Sequence, residues 1–242
     1  MDMKLFGVII LFISSWANAS VRIGTPLFEA PFIISGGGGT AVTGYDVELM
    51  QTICTRLTWK CEFIPMQASK LFSGLELDEV DFVLGGLIIT PEIKAKYLTS
   101  TPYLISKGSF VTLKDNQIKL DEVSGKRIGA IKDKPYYAYL QGVPELTAVP
   151  YDRIPDLAID LRDNKIDAAF VNYYSAHYMA HQYPDLIGVV DTDVMVGEGF
   201  GIIALPSKQA EMQKINRVLI QFESDGTFVK LYNYYFQFFI KN

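Results

Sequence analysis

Metal-binding side chains are scarce in this chain. It carries 2 cysteines and 2 histidines in 242 residues, which argues against a structural zinc site. Excess positive charge is absent too. Lys and Arg number 22 against 27 Asp and Glu, for a formal net charge of −5. No cluster of Lys and Arg is longer than two residues, so the electrostatic footprint of a nucleic-acid binder is missing. Beyond the first twenty residues no stretch is apolar enough to span a bilayer. What is abundant is apolar and aromatic: 49% hydrophobic residues, with 14 Tyr and 15 Phe. That fraction excludes a disordered chain and can fill the core of one large or two modest domains.

The N-terminus reads as an address. Met1-Asp2-Met3-Lys4 is followed by the apolar run Leu5–Ile13 and then by Ala17-Asn18-Ala19. The run is too short to cross a membrane comfortably, and small residues stand where a signal peptidase reads. Residues 1–19 are therefore expected to be a secretory signal, cleaved before Ser20. No cysteine sits at the cleavage point for a lipid anchor. The mature chain is expected to be soluble and in an oxidising compartment. Cys54 and Cys61 then read as a disulfide more readily than as two buried free thiols, although both readings stay open at this point.

Hydrophobic periodicity alternates between strand and helix. Val21–Gly24 opens the mature chain as a strand, and residues 32–34 and 41–44 read as a hairpin around Gly36–Gly39. Those glycines lack the Lys-Ser/Thr of a phosphate loop. Apolar Val47, Met50, Ile53, Cys54 and Leu57 predict a helix over 46–57, with Asp46 as its N-cap. Further strands are expected at 61–65, 80–84, 127–131, 166–171 and 199–205. Helices are expected at 69–77, after Thr90-Pro91-Glu92, from Pro135, and at 154–163, 173–181 and 208–223. Met212, Ile215, Val218, Leu219 and Phe222 lie on one face of the last. Two such βα series point to two α/β lobes rather than one continuous sheet.

Several motifs occur in a telling order. They are Val21-Arg22-Ile23-Gly24-Thr25 with Ala30-Pro31-Phe32, then Gly44-Tyr45-Asp46-Val47-Glu48-Leu49, the Cys54/Cys61 spacing, and Val80-Asp81. Ile89-Thr90-Pro91-Glu92, Lys165-Ile166-Asp167-Ala168 and Asp225-Gly226-Thr227-Phe228 follow. With these the mature chain resembles the periplasmic amino-acid-binding proteins that feed ABC importers, solute-binding protein family 3. The lysine/arginine/ornithine- and histidine-binding branch is the nearest in pattern. The resemblance implies a two-lobed periplasmic-binding-protein (type II) α/β fold, with a ligand cleft between lobes joined by two hinge strands. Lobe 1 would be residues 20–106 and 200–242, and lobe 2 residues 107–199, with hinges near Ser106-Lys107-Gly108 and Gly197–Gly201. It also implies a Cys54–Cys61 disulfide, a periplasmic monomer, a small-molecule ligand, an inner-membrane ABC permease as partner, and neither cofactor nor catalysis.

The pocket departs from the pattern of that family. Ile93 stands where the family has an Arg for the ligand carboxylate, and Asn172 where it has an Asp for the ammonium. Ile88 replaces a hydroxyl, Gly85-Gly86 replaces a serine-bearing pair, and Asp133-Lys134-Pro135 replaces a Gly-Thr/Ser-Thr run. Glu29 replaces a stacking ring, Pro26 an acid, and Ala68 the aromatic of the facing loop. A charge-assisted hydrogen bond contributes roughly 1.5–3 kcal/mol, so loss of both charge anchors costs an ordinary amino acid several orders of magnitude in affinity. Replacements are at hand. Lys132 and Lys134 flank a helix start, Glu29 is an acid, Phe28 and Tyr136 offer ring faces, and Asn172 suits an amide or hydroxyl. The expected function is a solute receptor of an ABC transporter with an atypical pocket. The alternatives are a sensor or protein-binding paralogue, and a dehydratase-like enzyme using Glu29. His177 and His181 lie four apart without an intervening Glu or an evident third ligand, and read as a surface face. The aromatic tail Tyr232–Phe239 reads as core and lobe packing.

Overall fold

The computed structural model describes residues 20–36, 41–116, 118 and 123–237. The expected signal peptide, Gly37–Gly39 of the hairpin loop, and Phe238–Phe239 of the aromatic tail lie outside the described residues.

The chain folds as two α/β lobes. The first begins with β1 (Val21–Pro26), a short hairpin of β2 (Ile34–Ser35) and β3 (Val42–Thr43), and α1 (Tyr45–Arg56). It continues through β4 (Cys61–Met66), α2 (Leu71–Glu76), β5 (Phe82–Val83), α3 (Pro91–Lys94) and β6 (Leu98–Thr99). The chain then builds the second sheet from β7 (Lys107–Leu113), β8 (Arg127–Ile131), α4 (Pro135–Gln141), β9 (Thr147–Tyr151), α5 (Ile154–Arg162), β10 (Ala168–Asn172), α6 (Tyr173–Gln182) and β11 (Ile187–Met195). It returns to the first sheet with β12 (Ile203–Ala204), and α7 (Gln209–Ser224) and α8 (Thr227–Phe236) follow. The sheet orders are β4-β1-β5-β12-β6 and β11-β7-β10-β8-β9. Each has a parallel core, β4-β1-β5 or β9-β8-β10, closed by antiparallel strands. Pro65 and Pro150 lie in the strands at one edge of each sheet, β4 and β9, where a missing N–H is tolerated.

The two lobes use the same local device. In the first, the Asp81 carboxylate accepts from the Arg22 backbone N–H at 2.8 Å, and the Asp81 N–H donates to the Arg22 carbonyl at 2.8 Å. In the second, Asp167 accepts from the Arg127 N–H at 2.7 Å and its own N–H donates to the Arg127 carbonyl at 2.8 Å. Three residues before each aspartate a helix ends on a left-handed residue, Asp78 at φ 56° or Asn164 at φ 56°. Val80-Asp81 and Ile166-Asp167 are thus one turn used twice. Asp81 also takes a bond from Lys208 Nζ at 2.7 Å, and its cationic partners hold its carboxyl down at about 2 despite burial.

Several expectations need correction. The N-cap of α1 is Gly44 at φ 121°, not Asp46; a Cβ at Gly44 would stand 2.2 Å from the Phe32 carbonyl oxygen. Asp46 sits inside the first turn, fully buried. The strand expected at 199–205 shrinks to Ile203–Ala204, because Gly197 (φ 72°) and Gly199 (φ 130°) break the extended backbone. Strand 80–84 likewise pairs only at Phe82–Val83, and the helix expected at 69–77 is a 3-10 turn, Ala68–Lys70, followed by α2. Cys54 at the end of α1 is bonded to Cys61 at the start of β4, which closes the free-thiol reading.

Two outcomes follow for stability. Replacing Cys54 and Cys61 together by Ala is expected to lower unfolding free energy by about 2–3 kcal/mol, given so short a loop; urea titration with and without reductant measures it. Asp81 has a folded pKa below its unfolded one, so its contribution is present above about pH 4 and is lost as pH falls through about 2. Asp81→Asn is expected to cost about 2 kcal/mol at pH 7 and much less near pH 2, measured by unfolding at both pH values.

Candidate functional site

The lobes face each other across two turns of lobe 1 and two helix starts of lobe 2. The first turn, Glu29 to Ile33, follows β1. It is closed by Glu29 N–H donating to the Ile33 carbonyl at 2.9 Å and Phe32 N–H donating to the Glu29 carbonyl at 2.9 Å. The second is the loop after β5, where Gly85 and Gly86 take φ 132° and 64°. A Cβ on Gly85 would lie 2.3 Å from Pro26 Cδ. One on Gly86 would lie 3.0 Å from the Phe32 ring and 3.4 Å from Glu29 Cγ. The glycine pair is required because this loop is pressed against Pro26, Phe32 and Glu29.

Asp46 holds that loop from below. Its carboxylate accepts from the Gly86 N–H at 2.8 Å and from the Tyr103 hydroxyl at 2.7 Å. Burial outweighs these bonds and lifts the carboxyl to about 6. The Tyr103 phenol is pushed up by burial and then by the charge of Asp46.

Lobe 2 contributes the starts of α4 and α6. Lys134 is the N-cap residue of α4, and its ammonium lies 3.5 Å from Glu29 Oε2 across the lobes. Asn172 caps α6. Its Oδ1 accepts from the Ser175 N–H at 2.8 Å, and its Nδ2 donates to Ser175 Oγ at 2.8 Å. Ser175 Oγ in turn donates to the Ala30 carbonyl of lobe 1 at 2.7 Å. Tyr136, the second residue of α4, is buried, with its hydroxyl 3.5 Å and 3.4 Å from the Ser106 and Lys107 carbonyls. Burial, and then the charge of Glu29, pushes its phenol up.

The structure thus gathers Glu29, Gly85, Gly86 and Lys134, and it links Asn172 to them through Ser175 and Ala30. Other candidates are engaged elsewhere. Ile93 packs toward Leu71, Leu75, Val80 and Val83 in lobe 1, and its N–H donates to the cap Thr90 Oγ1 at 3.4 Å. Ile88 is buried and bridges to Phe200. Lys132 pairs with Asp152 of its own lobe at 2.5 Å. Phe28 is 62% exposed, and Ala68 opens the exposed 3-10 turn before α2. His177 bonds Asp191 at 2.8 Å. His181 lines a cavity of about 370 Å³ with Pro31, Ile34, Tyr178, Gln182, Tyr234, Tyr235 and Gln237. Among the described residues no cluster of His, Cys, Asp and Glu is arranged to hold a metal ion, and no helix is long and apolar enough to cross a membrane.

Sequence reasoning missed Tyr174 and Ser175. The signal for the serine was present as Asn172-Tyr173-Tyr174-Ser175, a cap residue followed three positions later by a small hydroxyl. No local signal showed that either residue reaches the other lobe.

Comparison with known proteins agrees with this architecture. Residues 21–238 match the bacterial extracellular solute-binding proteins, family 3, and the chain belongs to that family. A putative ABC transporter arginine-binding protein 2 of Escherichia coli K12 is 29% identical over 229 residues, covering 93% of this chain and 94% of that protein. The histidine-binding periplasmic protein of the same strain is 24% identical over 90% of this chain and 88% of its own length. Among solved structures, an arginine 3rd transport system periplasmic binding protein from Legionella pneumophila superposes with TM-score 0.82 at 33% identity, covering 90% of this chain and 99% of that one. These relatives are named as binding proteins rather than enzymes.

The buried carboxylate yields a pH test. Its folded pKa of about 6 lies above the unfolded value of about 3.9, so the stability it contributes falls as pH rises between those limits. Asp46→Asn keeps an acceptor for Gly86 and is expected to flatten that slope, by about 2–3 kcal/mol across the interval. Urea unfolding of both proteins at pH 4 and pH 7 checks it.

Proposed function

We propose that this family member is the periplasmic receptor of an ABC importer and holds a small polar solute of the amino-acid class between its lobes. The carrying observation is the acid and the cation that face each other from opposite lobes, Glu29 and Lys134, 3.5 Å apart. In this reading a zwitterionic solute inserts between them, its positive end on Glu29 and its carboxylate on Lys134. The pair replaces the charge anchors that Ile93 and Asn172 no longer supply. Tyr136, whose phenol feels the charge of Glu29, offers a ring face beside it. Relatives named for arginine and histidine support an amino-acid ligand. A dehydratase would need a carboxylate clamp beside Glu29; Lys134 is a single cation, which favours binding over turnover.

Residues 1–19 act as the export signal, and the mature chain works as a monomer with an inner-membrane permease. Lobe 1 comprises residues 20–106 and 200–242, and lobe 2 residues 107–199. Ser106 Oγ donates to the Val196 carbonyl at 2.6 Å, which ties the two crossover segments together where a hinge would bend.

A thermal-shift screen of the mature protein against amino acids, amines, organic acids and small peptides tests the reading. An amino acid is expected to raise Tm by mass action. Glu29→Gln and Lys134→Met are each expected to weaken that ligand about 10- to 100-fold. Silence across the panel, or a ligand indifferent to both substitutions, would overturn the assignment.

A further inference from the structure

We infer that the two lobes are latched shut by the chain's own side chains, so that the protein rests closed without a solute. Three contacts make the latch. Tyr174, the second residue of α6 in lobe 2, is only 2% exposed. Its ring lies 5.7 Å from Phe32, 6.1 Å from Phe200 and 4.6 Å from Phe236. All three of those rings are fully buried, and they flank the first sheet: Phe32 after β1, Phe200 before β12, Phe236 at the end of α8. Ser175 Oγ donates to the Ala30 carbonyl at 2.7 Å, and Lys134 meets Glu29 at 3.5 Å.

The packing is continuous across the boundary. One cluster of buried residues joins Ile23, Phe32 and Phe82 of the first lobe to Phe110, Phe170 and Tyr174 of the second. In a receptor that closes on its ligand, the solute supplies the bonds between lobes, and opening costs little when it is absent. Here opening withdraws a buried tyrosine from three rings and exposes them to water. The Ala30 carbonyl and the ion pair can be resolvated, so the aromatic plug dominates the latch. A solute must capture the open minority, which lowers its apparent affinity by that fraction. The inference concerns lobe motion and stands independently of which solute is bound.

Small-angle X-ray scattering on the mature protein, unfolded and refolded to strip any carried solute, tests it without knowledge of the ligand. The solute-free profile is expected to fit the closed coordinates. Tyr174→Ala is expected to expand the particle toward an open form. Since that change removes a large core ring, Ser175→Ala combined with Lys134→Met serves as the milder variant. It leaves the rings untouched and is expected to lower the closed-to-open ratio about tenfold. An open solute-free wild type would overturn the inference, as would a folded Tyr174→Ala protein that scatters like the wild type.

Discussion

A fully buried carboxylate organises the face of lobe 1. Asp46 lies in the first turn of α1 yet points into the protein, where it takes one bond from the Gly85-Gly86 loop and one from Tyr103. Three segments distant in sequence are thereby held at one oxygen: the start of α1, the loop after β5, and the stretch leading to the first crossover. Burial raises the pKa of the group, a cost the fold tolerates because losing either bond would strand a buried donor. With Gly86 pulled toward Asp46 at φ 64°, a side chain there would be strained and would crowd Phe32 and Glu29, and Glu29 is left facing the other lobe.

The lobes themselves are built by repetition. Arg22 with Asp81, and Arg127 with Asp167, fasten the first parallel strand of each sheet to the turn that enters a neighbouring strand. The lobe 1 version is reinforced by Lys208 from the entry to α7, and the Cys54–Cys61 bond clips α1 to β4. These fastenings stiffen each lobe internally. The two crossover segments that join the lobes meet where Ser106 bonds the Val196 carbonyl.

The chain's own contacts fill the boundary between the lobes. Asn172 serves as a helix cap and positions Ser175, which reaches across to Ala30. Ile93 has joined the apolar packing of lobe 1. Glu29 and Lys134 satisfy each other. These charges and hydroxyls are matched by partners within the chain, and Tyr174 fills lobe 1's aromatic core.

Much of the fold was legible in local pattern. The helical spacing of α7 places Met212, Ile215, Val218, Leu219 and Phe222 in the core, and β1 and β8 match their apolar runs. The strands β7, β9 and β11 were not read, because their faces alternate weakly and β9 carries Pro150, tolerable only at an edge. The motifs together identified the family, since they depend on residue type at a position in the chain. The role of Asp46, the partner of Lys134 and the burial of Tyr174 depended on residues 40, 105 and 142 positions apart meeting in space. Periodicity reports which face of an element is apolar; which lobe that face closes upon is settled only when the two sheets pack.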